Sequence, residues 1–187
     1  MKKRPFSKKQ IQTLRKVLID KPRDLALLNT GVDTALRGGD LLSLKVSDVK
    51  TAWGEIRESF YVKMKKTNKR VLCELSNHSI ESLDRWFRIS QKDSGDFIFT
   101  SLRGGSKAIT TVQLRRIIKG WCDECGWDVS FFSSHSIRRA LPSEVYKQTK
   151  DLRSCQILLG HTNVGNTAHY LGVEEEDAFD LVRKYRI

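Results

Sequence analysis

The sequence lacks any long apolar run; its longest stretches, such as Leu25-Ala26-Leu27-Leu28, are far too short for a membrane-spanning helix. The basic start, Met1-Lys2-Lys3-Arg4-Pro5, leads into no apolar segment, so no secretory signal is expected. Proline is scarce, three residues in 187, and no Gly/Ser/Pro-rich linker, internal repeat or low-complexity tract divides the chain. That length suits one domain, or at most a domain with a tail, and is enough to bury a core. The expected setting is cytoplasmic and nucleoid-associated, where the four cysteines at 73, 122, 125 and 155 are reduced thiols. Cys122 and Cys125 have the spacing of half a zinc site, but no second Cys or His pair follows at a suitable distance. Two half-buried thiols on one helical face explain the pair more simply, and no metal is expected.

Charge is plentiful and one-sided. Lys and Arg number 34 against 22 acids, a net charge of +12, which favours a polyanionic partner, nucleic acid first. The excess is also placed. Lys63, Lys65, Lys66, Lys69 and Arg70 share a stretch that holds no acid between Glu58 and Glu74. The acids gather late instead, at Glu174-Glu175-Glu176-Asp177 and Asp180.

The apolar periodicity indicates a mainly α protein with a small antiparallel β-sheet, an α+β arrangement. Ser7-Lys8-Lys9-Gln10 has the form of a capping box, followed by the helical stripe Ile11, Leu14, Leu18. Pro22 suits the first turn of a second helix carrying Leu25, Leu28 and Val32, and a short helix follows Gly38-Gly39 through Leu42. Residues 58–64 and 70–75 are β-rich and flank a turn, Lys66-Thr67-Asn68-Lys69, which predicts a hairpin with a basic tip. The stretch near Trp53 is a candidate third strand. Helices are expected over 79–89, 111–125, 136–147, 151–159 and 174–184, with another carrying Tyr170 near its end.

Two groups in the C-terminal half carry chemistry. In His135-Ser136-Ile137-Arg138, an imidazole and a guanidinium share one face of a helix start. That pairing suits a phosphate, since arginine donates paired hydrogen bonds and histidine exchanges a proton. A surface helix bearing one His and one Arg is common, so the motif alone decides little. The second group is Leu158-Leu159-Gly160-His161 followed by Tyr170. A lone tyrosine is usually a packing residue, and it becomes a nucleophile only where basic groups surround the phosphate it attacks.

Taken in order, these groups resemble the tyrosine recombinase, or phage integrase, family. The carrying residues are Thr34-Ala35-Leu36-Arg37-Gly38-Gly39-Asp40-Leu41, Lys66-Thr67 in the hairpin, His135-Ser136-Ile137-Arg138, Leu159-Gly160-His161, and Tyr170 nine positions after His161. The resemblance implies the catalytic-domain fold of that family and six catalytic residues: Arg37, Lys66, His135, Arg138, His161 and Tyr170. Arg37 and Arg138 would clamp the non-bridging phosphate oxygens. Tyr170 would attack phosphorus to give a 3′-phosphotyrosyl link. Lys66 would protonate the departing 5′ oxygen; Lys65 and Lys69 compete for that role. His135 would exchange a proton with the tyrosine or orient it, and His161 would hydrogen-bond a phosphate oxygen. Asp40 would support Arg37. Lys63, Lys65, Lys69, Arg70 and Arg139 would contact DNA. Neither ATP nor a metal is implied.

The resemblance further implies double-stranded DNA as partner, a monomer when free, and a homotetramer on paired sites, with an accessory DNA-bending protein in some systems. On this view residues 1–187 form a single catalytic domain without the N-terminal helical domain of most members. Residues 173–187 form a C-terminal helix or tail that packs on a neighbouring protomer or on its own domain. Three departures stand out: Ala35 replaces the usual Gly, Arg139 stands where many members have His, and Pro142 would bend its helix if it fell beyond the first turn. Two other readings compete with strand exchange, a DNA-binding regulatory module that cuts little and a type IB topoisomerase-like relaxation of DNA. A metal nuclease would need a carboxylate cluster that the sequence does not offer.

Overall fold

The computed structural model describes residues 3–103 and 105–186 of the chain; Met1 and Lys2 of the basic start lie outside them. Helix α1 (Lys8–Val17) opens with the capping box the sequence predicts. Gln10 N–H donates to Ser7 Oγ at 3.3 Å and Ser7 N–H donates to the Gln10 side chain at 3.0 Å, a cap that stabilises the helix by about 1 kcal/mol. Its Ile11 and Leu14, with Leu18 just beyond, are buried against α2 (Pro22–Thr34), the central element of the core. Pro22 begins α2, where its missing N–H has no helical partner to lose, and nearly every later residue of that helix is buried. Ala35 ends it in the left-handed region at φ 47°, a conformation that costs an alanine roughly 1 kcal/mol and accounts for the glycine usual at this place.

Short helices α3 (Gly38–Leu42) and α4 (Val46–Val49) lead to the hairpin of β1 (Ser59–Lys63) and β2 (Arg70–Glu74). The strands pair antiparallel, from Ser59 opposite Glu74 to Lys63 opposite Arg70. Alternation puts Phe60, Val62, Val71 and Cys73 inward and leaves Tyr61 and Leu72 outside. The tip closes with Met64 N–H donating to the Lys69 carbonyl and Asn68 taking a positive φ of 56°. Trp53 belongs to no third strand. Its segment makes only the isolated bridge Lys50–Ile56 around a tight turn at Gly54, and the indole is 90% exposed. Only Ile56 of this stretch packs partly against the core, while the indole stays in solvent and joins no sheet face.

Helix α5 (Asn77–Ser90) packs on α2, and α6 (Thr111–Glu124) carries Leu114, Ile118, Trp121 and Cys122 into the core. Cys122 is fully buried there, which pushes its thiol up to about 11, as expected of a packing thiol. Helix α7 (Ser134–Thr149) lies against α2 and runs through Pro142, well past its first turn. Phe6 stacks on Phe132 at 4.6 Å, and Phe6 N–H donates to the Ser136 carbonyl, so the N-terminal segment braces the start of α7. Helices α8 (Leu152–Leu159) and α9 (Val164–Leu171) pack on α7. The last helix, α10 (Glu175–Lys184), buries no side chain; Lys150 holds it through Asp177 at 2.6 Å. Among the described residues no helix is long and apolar enough to cross a membrane.

Candidate active site

Arg37 caps α3 from an extended backbone, at the point where the chain turns out of the core. Gly38 beside it packs tightly; a Cβ there would lie 3.3 Å from Leu114, whereas Gly39 faces open space. From α7 come His135, in the first turn, and Arg138, one turn later and 3% exposed. Arg138 Nη2 donates to the Leu159 carbonyl at 2.7 Å, which ties α7 to the end of α8. Gly160 follows with φ +60°, and the left-handed turn it permits aims His161 back toward the arginines. Helix α9 then delivers Tyr170. The hairpin tip supplies Lys66.

These six residues line one cavity of about 410 Å³. Their placement there follows from four separate pieces of chain meeting around α7. The Nη1 atoms of both Arg37 and Arg138 are buried and have no hydrogen-bond acceptor among the described residues. Two such guanidinium groups side by side are costly unless an anion completes them. Burial, ahead of any partner, pulls Arg138 down to about 10, while Tyr170 and Asp40 raise it and Arg37 lowers it further. The site therefore holds fixed positive charge that a phosphate would satisfy.

The Tyr170 hydroxyl lies 3.2 Å from His135 Nδ1. His135 keeps one edge open to solvent; desolvation of its inner side is the leading cause that lowers its pKa, followed by Arg138, Arg139 and Arg37. A neutral imidazole at that distance can accept the phenolic proton. Tyr170 itself is raised by burial, a push that Arg138, Arg139 and Arg37 oppose without cancelling. His161 is pushed down to about 4, again by burial first and then by Arg138 and Arg37, and is neutral near pH 7. Its ring meets the Tyr170 ring edge-on at 5.4 Å.

Two expected roles change in three dimensions. Asp40 is buried, but it serves the hairpin: its carboxylate accepts the Lys65 backbone N–H at 3.0 Å, and no hydrogen bond or ion pair joins it to Arg37 among the described residues. Asp40 thus ties the hairpin that carries Lys66 to the turn that carries Arg37. Arg139, expected among the DNA-contacting cations, is 8% exposed. It follows Arg138 by one residue, so it leaves the helix about 100° away. There it donates to the carbonyls of Lys3 at 2.9 Å and Leu171 at 3.5 Å, behind the Tyr170 ring. Lys63, Lys65, Lys69 and Arg70 remain exposed on the hairpin, with Arg70 stacked on Tyr61 at 4.7 Å. Thr67, which the sequence marks only as the partner of Lys66 in the hairpin, also lines the cavity, as do Thr162 and Asn166, which were not singled out from sequence. Asn166 lies four before Tyr170, a helical spacing that marks it as a neighbour on the same face.

Comparison with known proteins places this fold among those of solved recombinases. XerA recombinase matches over 100% of this chain and 65% of its own, at 21% identity and a TM-score of 0.78. XerH site-specific recombinase, in a pre-cleavage complex with its difH substrate, covers 95% of this chain and 53% of its own, at 17% identity and a TM-score of 0.74. Among sequences, the probable integrase/recombinase YoeC of Bacillus subtilis is 28% identical over 91% of this chain and 89% of its own length. The tyrosine recombinase XerC of Actinobacillus pleuropneumoniae is 28% identical over 79% of this chain, which spans only 46% of that relative. The model of the phage integrase family matches residues 4–177, and the chain belongs to that family.

Proposed function

We propose that the protein breaks and rejoins double-stranded DNA through a tyrosine-linked intermediate, in site-specific recombination. The observation that carries this reading is that Arg37 and Arg138 line one cavity with Tyr170, each with a buried Nη1 that has no acceptor among the described residues. Arg37 and Arg138 hold the non-bridging oxygens as negative charge builds in an in-line displacement. Tyr170 Oη bonds to phosphorus while His135 takes its proton. The bond to the 5′ oxygen breaks, and Lys66 supplies the proton that the leaving oxygen acquires. The phosphotyrosyl link conserves the energy of the phosphodiester, so attack by the 5′-hydroxyl of another strand reseals DNA without a nucleotide. The exposed cations Lys63, Lys65, Lys69 and Arg70 would follow the phosphate backbone beside the site, giving binding that weakens steeply with salt.

Residues 1–187 would act as a single catalytic domain, with 173–187 as a C-terminal helix or tail, DNA as partner and a tetramer on paired sites as the working assembly. α10 supports an intermolecular role. It buries nothing in its own domain, exposes Phe179 and Val182 at 55% each, and hangs on the Lys150–Asp177 pair. The deciding experiment uses nicked duplex DNA carrying a site selected from a random library by covalent capture. An adduct that survives SDS is expected with the intact chain and is absent with Tyr170→Phe. Persistence of the adduct in that variant would remove Tyr170 as nucleophile.

A further inference from the structure

Thr167 is fully buried, three residues before Tyr170 on α9. A threonine inside a helix commonly turns its hydroxyl onto the carbonyl four residues back. Thr34 and Thr149 do so here, at 2.7 and 2.8 Å. The Thr167 hydroxyl is turned instead to His161, with Oγ1 at 3.1 Å from Nδ1.

We infer that Thr167 is a positioning residue for the phosphoryl transfer proposed above: its hydroxyl donates to Nδ1 of His161 and thereby keeps the ring proton on Nε2, aimed at the phosphate. The inference rests on that functional reading for its chemistry, and on the hydrogen bond for its geometry. The oxygens of a phosphodiester only accept hydrogen bonds, so an imidazole serves them only through an N–H. Beside Arg37 and Arg138 the His161 ring is neutral and has a single N–H to place. If that proton sat on Nδ1, Nε2 would present a lone pair to the phosphate and repel it. A carboxylate or carbonyl at residue 167 would enforce that wrong tautomer, because it can only accept. A hydroxyl can donate, and it leaves His161 a hydrogen-bond donor to the phosphate with no proton transfer of its own. The edge-on contact with Tyr170 fixes the ring plane, so Thr167 and Tyr170 hold His161 from one helix.

The test pairs Thr167→Val, nearly the same shape without the hydroxyl, with Thr167→Ser, which restores it. Long-range ¹H–¹⁵N NMR of the full chain at pH 7 is expected to show His161 protonated on Nε2 in the parent and in Thr167→Ser. In Thr167→Val that pattern gives way to a mixture of tautomers. On the nicked substrate Thr167→Val should form adduct about tenfold more slowly, with DNA affinity unchanged and the rate restored by serine. A parent ring protonated on Nδ1 overturns the inference, as does a Thr167→Val chain with parent tautomer and rate, or a serine variant as slow as the valine one. The NMR arm needs no DNA. A chain that keeps the Nε2–H pattern but makes no adduct therefore counts against the proposed function and leaves the Thr167 assignment standing.

Discussion

Arg138 is 3% exposed, anchored to the Leu159 carbonyl and packed between helices, whereas Lys66 stands exposed at the tip of a two-stranded hairpin. Both groups are cations and both line the same cavity. The difference suits the role proposed for each. Stabilising charge on a phosphate requires donors that are already in place, since any reorganisation during the reaction adds to the barrier. Delivering a proton to a leaving oxygen requires a group that can approach and withdraw, which a flexible chain on a hairpin provides. Arg138 is thus built into the core, at a cost in desolvation, and the lysine is kept outside it.

Removing the exposed partner tests this contrast most severely. Lys66→Ala is expected to slow cleavage of ordinary DNA by about 10²- to 10⁴-fold, with near-normal rates on a substrate whose leaving group is a 5′-thiol. Failure of the thiol to rescue, or loss of rate from Lys65→Ala or Lys69→Ala instead, would move the acid to another lysine or off the hairpin. Arg138→Lys should cost about 10² to 10³ in cleavage rate, and the thiol should leave that defect in place. A thiol-rescued Arg138 variant would erase the distinction between the two cations. The smallest effect is structural. A Cβ on Gly160 would fall 2.7 Å from Val71 on β2, at a φ of +60°. Gly160→Ala should therefore lower stability by about 1–3 kcal/mol, read from urea unfolding, by prising the hairpin from α8. An unchanged midpoint would mean that hairpin and clamp are not packed together there.

Much of this site was legible as order along the chain, and little of it as geometry. Arg37, Lys66, His135, Arg138, His161 and Tyr170 were recognisable because their spacing follows the family pattern, and all six reach one cavity. Asp40 was misassigned because its partner is a backbone N–H 25 residues away, which leaves no trace in side-chain types. Arg139 was misplaced because an exposed and a buried arginine look alike in sequence; only the fold supplies the carbonyls of Lys3 and Leu171. Trp53 looked like a strand residue on composition, yet pairing needs a neighbour, and none is adjacent beyond the bridge at Lys50 and Ile56. Thr162 and Asn166 carried no local signal apart from the spacing of Asn166 to Tyr170, and Thr67 only its place beside Lys66.

By itself the sequence determined the longer helices, the hairpin and the identity of the chemical groups, though not the short α4, because periodicity, caps and turn residues act within a few positions of one another. It also determined the family, through the fixed order of those groups. Which arginine lines the cavity, which nitrogen of His161 meets Thr167, and what Asp40 anchors were decided only by the tertiary structure. Those outcomes depend on burial and on contacts between segments far apart in the chain, where one residue's turn along a helix moves a guanidinium from the cavity to the back of Tyr170.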